Sequence, residues 1–356
     1  MNNCEKIRQK LIEAGLDAIL ITDEKNQRYA SGFAFTDGVV LVTRGKDYLF
    51  TDSRYIEAAE KALGSSMELR LFGGGNRLSV LIKDALKAEN VQRLGAEEEK
   101  LSHSMYLMYE TILSAELIPA QAILSGLRAA KSEEELSFMR AAQGIAEAAL
   151  EDVLGIIRPG ITERDVAAEI TYRMLKHGGE GNSFDPIAIT GVNTSMPHGV
   201  PGDTQLKNGD FITMDFGCIK GGYCSDMTRT VALGSATDEM KNVYDIVLQA
   251  QLAGIKTACA GVSGAEIDSA ARKIISDAGY GEYFGHSFGH SLGLDIHESP
   301  SASPNVKTPM PAGAVISAEP GIYIPGKFGV RIEDVLILRD GGNENITKAK
   351  KDLIIL

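Results

Sequence analysis

Residues 211–232 read FITMDFGCIKGGYCSDMTRTVA, two apolar, strand-like runs on either side of Gly221-Gly222. Gly-Gly is a favoured two-residue hairpin loop. The stretch therefore predicts an antiparallel pair with Lys220 opposite Tyr223 and Gly217 opposite Asp226. Strand side chains alternate with a period of two, so Asp215 and Gly217 share a face. Asp226 then lies on the same face, diagonal to Asp215, and Gly217 leaves the space between them open. Buried carboxylates are costly unless paired or bound to metal, and two held together raise one pKa. A salt bridge to Lys220 or Arg229 is one solution, but Arg229 falls on the opposite face in this register. A divalent cation is the other.

A metal needs further ligands, and candidates cluster downstream. The segment GHSFGHSLGLDIHESP (285–300) carries His286, His290 and His297, three of the six histidines in the chain. A lone histidine in an apolar stretch is usually a core residue; three within twelve residues, set among glycines, are harder to explain that way. AVISAEP (314–320) reads as a strand ending at Glu319. GVRIEDVLIL (329–338) reads as a single strand with Arg331 and Glu333 on one face. Two other motifs lead nowhere. Gly285-His286-Ser287-Phe288-Gly289 matches GxSxG but lacks the buried strand and following helix that a nucleophile elbow needs. Asp215-Phe216-Gly217 matches the kinase DFG triplet without a glycine-rich phosphate loop or a catalytic-loop HRD.

The 356 residues suffice for two domains, and 44% hydrophobic content supplies a large core. The first 120 or so residues alternate helical and strand patterns, as an α/β domain does. A boundary is expected near 124–133, giving an N-terminal domain 1–126 and a C-terminal α+β domain 127–356. Ser132 with Glu135 forms a capping box for a long helix, which Arg158-Pro159-Gly160 ends. Thr162 caps the next helix. Further helices are expected near 238–260 and 264–278. The net charge of −12 argues against nucleic acid or an anionic membrane as the main partner. Cys4, Cys218, Cys224 and Cys259 form no CxxC pair, which fits a reducing compartment. No apolar run approaches the ~20 residues of a membrane span, and the first residues do not read as a signal peptide. A cytoplasmic protein is expected.

Five ordered blocks carry a family resemblance: SFDPIAITG with MPHG, MDFGCIKGGYCSDMTRT, GHSFGHSLGLDIHE, AEPGIYIP and GVRIEDVLIL. Together they resemble the pita-bread metallopeptidases, the group of methionine aminopeptidase, aminopeptidase P and prolidase. LFTDSRYIEAA (49–59) looks like their smaller creatinase-like N-terminal domain, which methionine aminopeptidases generally lack. The resemblance implies an α/β creatinase-like domain followed by an α+β pita-bread catalytic domain. It implies two divalent metal ions held by Asp215, Asp226, His290, Glu319 and Glu333, with Asp226 and Glu333 bridging and a hydroxide between the ions as nucleophile. It assigns Glu319 a proton shuttle, gives His198, His286 and His297 hydrogen bonds to substrate and intermediate, and makes Arg331 a supporting ionic contact. Mn²⁺ is the expected metal, with Co²⁺, Zn²⁺ and Fe²⁺ as alternatives; an oxygen-rich set with one imidazole suits the first two better than a structural zinc. Ser291, where many relatives have glycine, is a small departure. Ala34-Phe35 replaces a small-residue pair and bears on substrate length. The leading expectation is an Xaa-Pro aminopeptidase acting on peptides with proline second, as a homodimer. A prolidase restricted to Xaa-Pro dipeptides is the alternative. A non-catalytic binding protein of the same fold, or a creatinase, would be expected to lack the ligands present here.

Overall fold

The computed structural model describes residues 3–356. Its contacts divide the chain into two units, one through Arg128 and one Ala129–Leu356.

The first unit is a six-stranded sheet with helices between its strands. In chain order it comprises α1 (Cys4–Glu13), β1 (Ala18–Ile21), α2 (Glu24–Ser31), β2 (Gly38–Thr43), β3 (Asp47–Thr51), α3 (Ile56–Leu63) and β4 (Glu68–Leu71). There follow α4 (Leu78–Ala88), β5 (Arg93–Ala96), α5 (His103–Ile112), β6 (Glu116–Pro119) and α6 (Gln121–Ala129). The strand order is β4-β3-β2-β1-β5-β6. β1 pairs antiparallel with β2 and parallel with β5. All four of its residues are buried, as a strand covered on both faces requires. α6 runs through residues 126 and 127, where a change of domain was expected, because Gly126 is the only weak helix former there and one glycine does not end a helix.

The second unit is built from two helix-backed sheets. α7 (Glu133–Leu154) and α8 (Glu163–Lys176) each start on a capping box, Ser132 with Glu135 and Thr162 with Asp165. They cover a sheet of β7 (Ile187–Thr190), β8 (Phe211–Phe216) and β11 (Met227–Ala232) in the order β11-β8-β7. Between the last two, β9 (Ile219–Lys220) and β10 (Tyr223–Cys224) extend the hairpin. α9 (Asp238–Thr257) and α10 (Gly264–Asp277) pack over the second sheet. That sheet contains β12 (Gly289–Ser291), β13 (Glu298–Ala302), β14 (Val315–Ala318), β17 (Asp334–Arg339) and β18 (Gly342–Asn345), ordered β13-β12-β14-β17-β18. β15 (Gly321–Ile324) and β16 (Phe328–Arg331) form a separate pair.

The strand period decides which side chains reach the site. On β8, Ile212, Met214 and Phe216 join the core under α7 and α8. Thr213 and Asp215 therefore point the other way. On β14, Ile316 and Ala318 join the core under α9 and α10, leaving Ser317 and then Glu319 to face away from it.

Candidate metal centre and active-site cavity

The hairpin forms in the expected register. Lys220 pairs with Tyr223, and Asp215 with Thr228, which places Gly217 opposite Asp226. Gly221 and Gly222 have φ of 57° and 81°, the left-handed values that a type I′ turn needs. A Cβ on Gly217 would lie 1.9 Å from the Ser225 carbonyl oxygen, so no other residue fits there without moving the opposite strand. Arg229 lies on the far side. Its guanidinium bonds Asp334 at 2.9 Å and the carbonyls of Ala349 and Lys350, not the two aspartates.

Asp215, Asp226, His290, Glu319, Arg331 and Glu333 line one cavity of about 450 Å³, together with His198, His286 and His297. All nine residues expected in the site are thus brought together. Donor atoms of Asp226, His290 and Glu333 lie within 4.8 Å of one another. His290 Nε2 is 3.5 Å from Asp226 Oδ2 and 3.3 Å from Glu319 Oε1. Ser317 Oγ donates to Glu319 Oε1 at 2.9 Å, and Thr228 Oγ1 donates to Glu333 Oε2 at 2.7 Å. Arg331 Nη2 holds Asp215 Oδ2 at 2.6 Å.

The electrostatics of this cluster call for cations. Burial, then the charges of Asp215 and Glu319, push the Asp226 carboxyl well above its ordinary pKa. Burial, then Asp226 and Glu319, do the same to Glu333. Glu319 is raised chiefly by burial. Asp215 Oδ1 and Glu333 Oε1 are buried with no hydrogen-bond partner among the described residues. Buried carboxylate oxygens left bare are expensive. Buried carboxylate oxygens that face one cavity are suited to divalent ions, and four carboxylates balance two such charges. The donor set fits the expected metals.

One expectation needs correction. Arg331 and Glu333 do not share one strand. Arg331 ends β16 against β15, while β17 begins at Asp334 against β14. The chain breaks between them because Glu333 turns to β11, its N–H donating to the Thr228 carbonyl at 3.1 Å. Both side chains still face the cavity. His286 lines the cavity and is also engaged by its neighbours. Its Nδ1 meets the Ser287 carbonyl at 2.9 Å and its Nε2 meets the Tyr323 hydroxyl at 2.9 Å. Arg331 Nη1 donates to that same hydroxyl at 2.8 Å. The Ser287 carbonyl can only accept, so Nδ1 carries the ring proton and, in the neutral ring, Nε2 accepts from the Tyr323 hydroxyl; both ring nitrogens are engaged within the protein. Burial lowers the His286 pKa, which keeps this neutral form. His198 and His297 have no hydrogen-bond partner among the described residues and remain available in the cavity.

Tyr323 was missed because, within GIYIP, it reads as one more apolar strand residue. The cavity walls Phe184, Ile187 and Ile296 were likewise not singled out. Ile187 pairs with Asp215 across the sheet and so shares its face.

Two helix-backed sheets meeting at four carboxylates and three histidines are the architecture of a metallopeptidase of the pita-bread type. Residues 137–340 match metallopeptidase family M24, and residues 4–130 match the creatinase/prolidase N-terminal domain. The chain belongs to metallopeptidase family M24. It is similar to the solved Xaa-Pro dipeptidase from Bacillus anthracis, at 42% identity and a TM-score of 0.95, covering 99% of each chain. It is also similar to the X-Pro aminopeptidase from Thermotoga maritima, at 36% identity and a TM-score of 0.93, over 98% of this chain and 99% of that one. The Xaa-Pro dipeptidase of Pyrococcus horikoshii is 34% identical over 351 residues, 98% of each chain. No described helix is long and apolar enough to cross a membrane.

Proposed function

We propose that the chain is an Xaa-Pro dipeptidase that hydrolyses the bond preceding proline. The observation that carries this is the end-to-end similarity to two Xaa-Pro dipeptidases, both domains included. It reverses the order expected from sequence, where the aminopeptidase led; the Thermotoga maritima neighbour keeps that as the second reading.

Asp215, Asp226, His290, Glu319 and Glu333 would hold two divalent ions, Mn²⁺ being our choice for so oxygen-rich a set. Bound ions would polarise the scissile carbonyl and make hydroxide available at neutral pH. The protein's own groups do the rest. Glu319, oriented by Ser317, would take the proton of the attacking water and pass it to the proline nitrogen. Like any peptide nitrogen it must gain a proton to leave as an amine, and before proline it carries no hydrogen of its own. His198 and His297 present unengaged ring nitrogens to the substrate, as positioned donors for the developing oxyanion. Arg331 fixes Asp215 from behind. A cytoplasmic location suits four cysteines that form no disulfide, three of them buried.

A peptide panel with Mn²⁺ tests the reading. Ala-Pro and Leu-Pro should be cleaved well, and Ala-Pro-Ala poorly. Ala-Ala should fall below Ala-Pro by roughly 10- to 200-fold in kcat/KM, the range for losing a few ring methylenes from a fitted pocket. Ala-Pro-Ala at parity with Ala-Pro would move the assignment to the aminopeptidase. Ala-Ala at parity would remove the proline requirement.

A further inference from the structure

His297 ends a loop that has little regular structure, yet its ring sits in a fixed place, 4.4 Å from the His290 ring between centroids. The next residue, Glu298, explains how. One carboxylate oxygen accepts from the Asp295 amide at 3.1 Å. The other meets Lys131 Nζ at 3.0 Å. Both side chains of this ion pair are nearly sealed from water, at 2% and 6% exposure. Lys131 is anchored in turn: its own amide donates to the Gly313 carbonyl at 2.9 Å, just before α7 begins. At the loop's start, the Cys224 amide donates to the Gly293 carbonyl at 2.7 Å. Gly293 also lies flat against the staple, since a Cβ there would come within 2.7 Å of the Glu298 carboxylate.

A buried lysine–glutamate pair is poorly explained by stability, because desolvating both charges offsets most of their attraction. Its distinguishing property is geometric: it ties residues 167 apart in sequence at one defined point. We infer that Lys131 and Glu298 are positioning residues whose ion pair closes the 293–298 loop and fixes the His297 imidazole on the cavity wall. Neither lines the cavity itself. They act through the residue beside them. The inference rests on the proposed action of His297 on substrate.

The test is the double variant Lys131→Met/Glu298→Leu, which removes both charges together and so avoids stranding one of them. It should keep the wild-type thermal midpoint and Mn²⁺ content. Its kcat should fall about 10- to 100-fold, the cost of a misplaced catalytic group, with KM changed less than about twofold. In the metal-free protein, hydrogen exchange at the Asp295 amide should accelerate. Lys131→Arg, which keeps the pair, should retain most of the activity. Adding the double change to His297→Ala should cost nothing further, since the staple would have no ring left to place. Gly293→Ala, which pushes the Glu298 carboxylate aside without altering either charge, should reproduce the kcat loss. A folded double variant with wild-type kcat and wild-type Asp295 exchange would overturn the inference, as would a full additional loss on top of His297→Ala. Wild-type kcat in His297→Ala would instead refute the role proposed for that histidine, and Asp295 exchange would then decide the staple alone.

Discussion

At the scale of single residues, the site is a set of carboxylates arranged against their own preference. Arg331 relieves only Asp215 directly, so Asp226 and Glu333 are held in a state that favours either a proton or a metal. Metal should therefore stabilise the folded chain. At a hundredfold excess over Kd, binding to the native state alone contributes about 2.7 kcal/mol. At roughly 2–4 °C per kcal/mol for a domain of this size, the midpoint should rise by about 5–10 °C. Asp226→Asn should raise the midpoint of the metal-free protein, lose most of the Mn²⁺-dependent rise, and lose activity. An Asp226→Asn protein with an undiminished Mn²⁺ shift would exclude Asp226 from the metal site. Most of these residues were readable in the sequence because they lie in short blocks with hairpin or glycine punctuation. Tyr323 was not, because its meaning depends on Arg331 and His286, which reach it only through the fold. Lys131 and Glu298 were hidden for the same reason.

Elements were legible where their ends carry chemistry. The capping box at Ser132 and the cap at Thr162 announced α7 and α8. α2 was not anticipated, although Asp23 caps it and Gly32 closes it at φ 76°. Its buried side chains include Asn26 and Gln27, so the apolar stripe that normally reveals a helix is absent. The expected strand over 329–338 failed because a β-period cannot show that a chain changes partners midway. Between elements, Glu344 on β18 receives two 2.8 Å bonds from Arg140 of α7 and one of 3.2 Å from Arg339. The Arg140 bonds chiefly, then Arg339, bring its pKa down from 4.5 to about 2. A depressed acid stabilises the fold fully above its unfolded pKa. This contribution should thus be complete above pH 4.5 and fade as pH falls towards 2. Glu344→Gln should be less stable than wild type at pH 6, with the gap in urea midpoint closing by pH 3. Because the group is partly exposed, salt should shrink the gap at pH 6 as well. A gap that stays constant from pH 6 to pH 3 would count against the ion-pair origin.

At the scale of the whole molecule, two-domain organisation and the α/β then α+β order were readable from pattern alone. α6 carries a helical pattern through the expected boundary stretch, so no break in pattern marks the division there. Every residue assigned to the site lies in the second unit, between His198 and Glu333. Mn²⁺ should accordingly slow amide exchange in β8, β11, β14 and β17 and leave the first unit's sheet unchanged. Equal slowing in both would mean that they open together. The burial of the basic residues has a practical side. Arg229 and Arg331 are 2% and 3% exposed, and Lys131 is 7% exposed. Trypsin cuts after such residues only where the chain can enter its cleft, so these three bonds are closed to it while the second unit is intact. Surface lysines supply cuts that are open from the start, and the late appearance of fragments ending at Arg229 or Arg331 becomes a clock for how often the heart of the enzyme comes apart.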